Sequence, residues 1–293
     1  MAVPPDRSAF YDELLTSYEA TLTARPHAMG FFDWFQKQGV EALASGRQDA
    51  DLLFRRVGIT FNVYGDQEGA ERLIPFDLIP RILTAAEWAT LERGLAQRVN
   101  ALNAFLQDIY HDQRIIEEKI VPADLIHQNG QYRPELHGVK LPHDVWAHIS
   151  GIDIVRAEKG EFYVLEDNLR VPSGVSYMIE DRKVMMRLFP EIFASNSVAP
   201  VEHYPDLLLE HLRSIAPVGV ENPTVVVLTP GMYNSAYFEH AYLAQQMGVE
   251  LVEGIDLFVS EERVFAKTTR GPRRIDVIYR RIDDDFLDPL VFR

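Results

Sequence analysis

Residues 149–168 are the part of this chain whose fold is most constrained. Two runs rich in β-branched and aromatic residues, Ile-Ser-Gly-Ile-Asp-Ile-Val-Arg at 149–156 and Phe-Tyr-Val-Leu at 162–165, flank a segment containing Lys159-Gly160. That pattern specifies a tight antiparallel hairpin. With the turn centred on Lys159 and Gly160, Asp153 faces Glu166, each six residues from the centre. Two- and four-residue loops keep that register, whereas an odd loop shifts it by one. Facing Cβ atoms lie about 4.5–5.5 Å apart, a spacing at which two carboxylates repel. Side chains alternate along a strand, so Asn168 shares the face of Glu166. Two carboxylates and an amide oxygen converging at a strand end make a seat for a hard cation such as Mg²⁺. A solvated sheet face carrying ordinary acids is the competing reading.

Immediately downstream, Pro172-Ser173-Gly174 opens an expected helix with apolar positions at Val175, Met178, Ile179, Met185 and Met186. Ser173 is the expected N-cap, and a helix N-terminus attracts phosphate or carboxylate, which makes Ser173 and Gly174 candidate phosphate-binding residues. A cation seat beside an anion seat suits phosphoryl chemistry. Arg170 lies between them in sequence and is the candidate catalytic residue, placed to neutralise developing charge; on spacing alone a surface arginine explains it equally well.

The run Val-Leu-Glu-Asp-Asn-Leu-Arg-Val-Pro-Ser-Gly-Val-Ser-Tyr at 164–177 resembles the circularly permuted ATP-grasp proteins, the group related to glutathionylspermidine synthetase. The resemblance extends to Phe-Asn-Val-Tyr-Gly-Asp at 61–66, Ile-Pro-Phe-Asp-Leu-Ile-Pro at 74–80, Asp-Ile-Tyr-His-Asp-Gln at 108–113, Thr-Pro-Gly-Met-Tyr-Asn-Ser-Ala-Tyr-Phe-Glu-His at 229–240 and Val-Ile-Tyr-Arg-Arg-Ile-Asp-Asp-Asp at 277–285. It implies that Asp153, Glu166 and Asn168 hold Mg²⁺ against the phosphates of ATP. It further implies carboxylate–amine ligation, in which a substrate carboxylate takes the γ-phosphoryl group and an amine displaces phosphate from the acylphosphate. The synthetase branch carries an arginine two positions before the metal aspartate. Here that position is Gly151, so that catalytic arginine does not transfer. Family members also carry a lid with a Val-Lys-Pro strand and a glycine-rich loop. Nothing here matches it, and Gly-Asp-Gln-Glu-Gly at 65–69 has neither P-loop nor GxGxxG spacing. The expectation is the N-terminal portion of a longer protein, or a chain completed by a partner; a short homologue that has lost ATP binding is the alternative.

A formal charge of −15 disfavours a nucleic-acid backbone binder, which needs basic clusters. The absence of cysteine excludes disulfides, thiolate zinc sites and cysteine nucleophiles. The apolar run at 225–228 is far too short to span a membrane, and Met-Ala-Val-Pro-Pro-Asp lacks the basic start and apolar core of a signal peptide, so a cytoplasmic protein is expected. Arg270, Arg273, Arg274, Arg280 and Arg281 form the one basic concentration, read first as a solvated hairpin.

Along the chain, residues 8–23 and 27–43 read as helices, 59–64 as a strand, and Thr84-Ala-Ala-Glu87 as a capping box opening a long helix. After residue 206 a helix (207–215), a buried strand (224–228), a helix ending near Gly248 and a strand (249–252) make a βαβ unit. Residues 229–235 then form a loop at a strand's C-terminal end, where open α/β sheets bind ligands. Asn234, Ser235 and Glu239 there are substrate candidates or, more simply, capping and helix-surface residues. Residues 263–267 and 275–280 are expected to form a hairpin. The fold expected is α/β: an ATP-grasp-derived mixed sheet with helices over 1–200, carrying the metal-site hairpin, and a smaller Rossmann-like domain over 201–293. The function expected is an ATP- and Mg²⁺-dependent ligase of small-molecule or peptide carboxylates and amines, inactive as this stretch alone. A non-catalytic binding or scaffold subunit is the alternative.

Overall fold

The computed structural model describes residues 11–17, 22–61, 72–283 and 287. In chain order the elements are β1 (Leu15–Ser17), β2 (Thr23–Ala24), α1 (Met29–Lys37), α2 (Val40–Val57), β3 (Thr60–Phe61), β4 (Arg72–Leu73), α3 (Ala85–Ile109), α4 (Arg114–Glu117), α5 (Ala123–His127), β5 (Gly151–Arg156) and β6 (Phe162–Asn168). They continue as α6 (Val175–Leu188), α7 (Pro190–Ser195), α8 (Tyr204–Ser214), β7 (Val225–Leu228), α9 (Tyr237–Met247), β8 (Glu250–Val252), β9 (Leu257–Ser260), β10 (Arg263–Thr268), β11 (Gly271–Arg274) and β12 (Val277–Arg280). The fold is mixed α/β. Two compact units form: Met1–Tyr11 with Leu83–Pro172, and Asp12–Ile82 with Ser173–Arg293. The 200/201 boundary expected from the sequence falls inside the second. The Gly-Asp-Gln-Glu-Gly segment at 65–69 and residues 284 and 285, the last two of the 277–285 run, lie outside the described residues.

In the first unit α3 is the spine. Its capping box is formed: the Glu87 amide donates to Thr84 Oγ1 at 3.2 Å and the Thr84 amide to Glu87 Oε2 at 2.8 Å. Side chains along α3 then hold the rest of the unit. The Arg156 guanidinium reaches Glu87 at 3.1 Å, and Arg98 donates two bonds of 2.6 Å to Asp167. Asn103 Oδ1 accepts the Trp146 and Ala147 amides at 2.8 and 2.9 Å, and Gln107 accepts Trp146 Nε1 at 2.7 Å. Beyond its end, Tyr110 is stacked between Tyr132 and Trp146, with ring centroids 5.1 and 4.7 Å apart.

In the second unit Phe31, Phe54, Ile59, Phe76, Val184, Met185 and Phe189 make one apolar core, with Phe54 edge-on to Phe76 at 5.2 Å. The stretch read as one helix over 27–43 is broken at Gln38 and Gly39, the caps of α1 and α2. The described part of 11–24 forms the short strands β1 and β2, not the expected helix. The βαβ unit is present: β7, buried throughout, lies parallel between β12 and β8, and α9 makes the crossover, ending on Gly248 at φ 67°. The expected 263–280 hairpin is corrected. β10 pairs with β11 and β9, whereas β12 joins the parallel sheet. Pro272 suits the edge strand β11, and Val277 and Tyr279, buried together on one face of β12, suit its place in the parallel sheet.

The hairpin loop turns on Gly160, at φ 80°, where a Cβ would lie 2.7 Å from the Tyr11 ring. Left-handed backbone costs an L-residue roughly 1–2 kcal/mol before that clash is added. Gly160→Ala should therefore lower unfolding stability by about 2 kcal/mol, read from urea midpoints. Gly130→Ala, with nothing within 4 Å of its Cβ position and no positive φ, should be near neutral.

Candidate functional site

The strand pairing places Asp153 opposite Glu166, as expected, but by a different route. The loop is odd. Ala157 and Glu161 close it through a 2.8 Å amide bond, and the three residues between them include the left-handed Gly160. Near the turn Arg156 pairs with Phe162 and Ile154 with Val164, one step off the centred register. A bulge then inserts Leu165, and from Asp153 onward the partners are Glu166, Asp167 and Asn168 for Asp153, Ile152 and Gly151. The one-residue shift of an odd loop is thus cancelled by one extra residue in the strand.

The two faces separate cleanly. Ile152, Ile154, Phe162, Val164 and Asp167 are partly covered, whereas Asp153, Glu166 and Asn168 are exposed together with Val155, Tyr163 and Leu165. Asp167 is turned towards α3 by the Arg98 fork, whose hydrogen bonds hold its carboxyl below the usual range. Its neighbours must then face the other way. Asn168 Nδ2 donates to Glu166 Oε1 at 3.2 Å, so these two side chains meet. Among the described residues no group of three His, Cys, Asp or Glu side chains converges as a metal cluster. The candidate seat therefore consists of two carboxylates and one amide. All three are oxygen donors, a set that fits Mg²⁺ and leaves places for water or phosphate oxygens.

Gly151, which stands where the synthetase branch has arginine, has no room for a side chain: a Cβ would lie 2.8 Å from Pro172 Cβ. Arg170 is exposed and donates to Gln131 Oε1 at 3.1 Å.

The expected anion seat lies in the second unit and is differently built. Ser173 is exposed and is not the cap of α6; Gly174 is, at φ 124°, without a side-chain cap of its own. The acceptor is Glu239, on the first turn of α9. Its Oε2 receives the Gly174 amide at 2.7 Å, the Ser176 amide at 3.1 Å and Ser176 Oγ at 2.9 Å, and Arg281 Nη2 donates to Oε1 at 3.2 Å. Glu239 and Arg281 are 1% and 4% exposed. Beside them His240 Nδ1 lies 2.8 Å from Thr229 Oγ1, and burial and the Arg281 guanidinium push its pKa down to about 3. Sequence reading rated Glu239 a helix-surface or capping residue and missed its burial. The available signal was an acid set among Tyr237, Phe238, Tyr242 and Leu243 on a helix apolar nearly all round, where a charge needs a partner. On α6 itself, burial and Glu180 raise the Asp181 carboxyl to about 6.

The family described as "A circularly permuted ATPgrasp" matches residues 80–293. A Synechocystis protein is 50% identical over 288 residues, which are 98% of this chain and 59% of that protein. A Mycobacterium tuberculosis protein is 48% identical, over 92% of this chain and 52% of its own length. The chain thus spans about half the length of these curated relatives. A Frankia alni protein provisionally named glutamate–cysteine ligase 2-3 is 40% identical over 95% of this chain and 32% of its own. In fold, the chain is similar to a glutathione synthetase-like effector from Globodera pallida, with a TM-score of 0.54, 12% identity, and 86% and 60% of the two chains covered. No helix among the described residues is long and apolar enough to cross a membrane.

His240 gives a pH prediction. The unfolded chain takes up this proton near 6.5 and the folded chain near 3, so its contribution is complete above pH 6.5 and is lost as pH falls towards 3. Asp181, raised to about 6, acts oppositely: its penalty is absent below the unfolded value near 3.9 and grows as pH rises towards 6. His240 has the larger shift, on the order of 1.4 kcal/mol per unit. Urea midpoints should therefore fall between pH 6.5 and 4 in the wild type and fall less in His240→Gln. An unchanged slope would place the acid sensitivity elsewhere.

Proposed function

The chain belongs to the circularly permuted ATP-grasp family, and from that premise we propose that it carries the metal-site portion of an ATP- and Mg²⁺-dependent carboxylate–amine ligase. The observation that carries this reading is the exposed cross-strand pair Asp153 and Glu166 with Asn168 hydrogen-bonded beside it. Two like charges facing each other on a strand pair cost roughly 0.2–1 kcal/mol, which a bound dication would offset. When bound, Mg²⁺ supplies charge neutralisation and alignment of phosphate oxygens.

Within this reading Asp153 and Glu166 bring the negative charge. Asn168 contributes its amide oxygen, for which its amide must turn from the bond it now donates to Glu166. Asp167, held by Arg98, keeps the strand face fixed. Arg170 remains the candidate for neutralising charge developing on a transferred phosphoryl group. For Ser173 and Gly174 the reading carries a condition: Glu239 already takes the Gly174 amide, so phosphate binds through Ser173 or displaces that carboxylate. The ATP-grasp-derived portion is taken as 1–200 and the Rossmann-like portion as 201–293. The substrates proposed are a small-molecule or peptide carboxylate and an amine, in the cytoplasm. The amino-acid ligase name of the Frankia relative supports that class, although the match covers only 32% of that protein.

Two measurements test the proposal. Mg²⁺ at ten times its dissociation constant should stabilise the wild type by about 1.4 kcal/mol and leave Asp153→Asn and Glu166→Gln unshifted. Phosphate release from Mg-ATP with pooled amino acids, peptides and polyamines should be absent for this chain alone. A longer protein containing it should show release, and Asp153→Asn should reduce that by on the order of 10²-fold or more. Silence of the longer protein would favour a scaffold subunit.

A further inference from the structure

Helix α3 of the first unit carries an uncovered face. Thr90, Gly94, Gln97, Ala101, Ala104 and Asp108 follow one another at spacings of four, three, four, three and four, so they form one straight stripe along the helix. All are exposed except Asp108, which is half-buried, whereas Leu91 and Ile109 are buried on a different side. Glycine inside a helix destabilises it relative to alanine. Nothing within the chain accounts for Gly94. It has no positive φ, and among the described residues no atom outside its own helix backbone lies within 4 Å of where a Cβ would stand. Absence of a side chain there serves the close approach of a second backbone.

The C-terminal half of the stripe opens into a groove of about 700 Å³ between α3 and the 114–120 segment. Its floor is apolar, with Ala101, Ala104, Phe105, Ile115 and Ile120, the last 65% exposed. Its rim carries Asp108, Asp112 and Glu118 against Arg114, which already pairs with Asp112 at 3.2 Å. The rim is therefore net negative. An apolar floor under a negative rim suits an arginine, whose stem buries on the floor while its guanidinium meets the carboxylates.

The same stripe supplies that arginine. Its spacings read alike in both directions, so a second copy of α3 can lie on it antiparallel, with Gly94 opposite Ala104 and Gln97 opposite Ala101. In that register Arg93, which among the described residues bonds only Thr90 Oγ1 at 3.5 Å, comes over the groove of the other copy. A two-fold axis repeats the contact in the reverse sense. We propose that this face of α3 is an interface between two copies of this chain, with Arg93 of each copy seated in the groove of the other. From Thr90 to Asp108 the seam runs about 27 Å at 1.5 Å per residue. A contact of that length covers on the order of 1,000 Å² in total, the low end for a specific interface, so the dimer is weak. The face lies wholly within the first unit, and the inference does not depend on the cation seat.

The test is sedimentation velocity on the 293-residue chain across the micromolar range, for the wild type and four variants. These are Gly94→Gln, Arg93→Glu, the pair Asp112→Lys with Glu118→Lys, and all three charge reversals together. Asp108 is left intact because its carboxylate accepts the Arg114 and Ile115 amides. The substituted positions are exposed, so each variant should unfold as cooperatively as the wild type. The wild type should pass from monomer to dimer with rising concentration, less readily at high salt. Gly94→Gln should favour the helix yet weaken the dimer, opposite signs that a role inside the monomer does not produce. Arg93→Glu and the acidic pair should each weaken dimerisation by roughly tenfold, and the combined reversal should recover most of that loss. A wild type that stays monomeric throughout would overturn the proposal and give the face to some other partner. A dimer indifferent to all four variants would place its interface elsewhere. Losses in the separate charge variants without recovery in the combined one would overturn the seating of Arg93 in the groove.

Discussion

The Arg98–Asp167 fork sets the orientation of the candidate site. Both guanidinium bonds are 2.6 Å, and the aspartate is the middle residue of Glu166-Asp167-Asn168. A strand alternates its side chains, so turning Asp167 to α3 turns Glu166 and Asn168 outward together. The pairing of Glu166 with Asp153 then brings the second carboxylate to the same face. Arg98 is exposed and Asp167 only half-buried, and ion pairs open to solvent are individually weak. The fork acts mainly by selecting between two faces, a choice the apolar positions Ile152, Ile154 and Val164 make in the same sense.

The second unit solves a different problem. Its parallel sheet ends in a buried polar cluster, Glu239, His240, Thr229 and Arg281, where a charge in an apolar setting has to be fully hydrogen-bonded. The chain meets that requirement at the Glu239 carboxylate, while Arg281 Nε is left without a hydrogen-bond partner, by joining four elements: the ends of β7 and β12 and the starts of α6 and α9. A neutral His240 is part of the same solution, because burial and the neighbouring Arg281 charge both disfavour a second cation there. The acid sensitivity assigned to this histidine therefore follows from the packing of the cluster.

Local patterns were legible where they were enough to decide the structure. The capping box at Thr84 and Glu87, the βαβ unit over 225–252 and the facing of Asp153 and Glu166 could all be read from residue spacing. The last of these held through two departures that cancel: an odd loop with Gly160 left-handed, and a bulge at Leu165. Loop parity was ambiguous in sequence, and the bulge sits beside Asp167, whose partner Arg98 lies 69 residues away. Long-range partners also explain the misses. Ser173 fits the composition of a cap, but Glu239 takes the amides. Residues 275–280 looked like the partner of the neighbouring strand 263–267, but Val277 and Tyr279 bury better beside β7. Spacing alone does not reveal which distant strand or carboxylate will arrive.

The proposed divalent-cation seat is formed by Asp153, Glu166 and Asn168 on the outer face of the hairpin. The most direct measurement is anomalous diffraction at the manganese edge from crystals soaked in MnCl₂. A peak is expected on that face, about 2.0–2.3 Å from a carboxylate oxygen of both Asp153 and Glu166 and from the Asn168 amide oxygen, as hard octahedral ions require. A peak held by other acids, or none at saturating Mn²⁺, would contradict it.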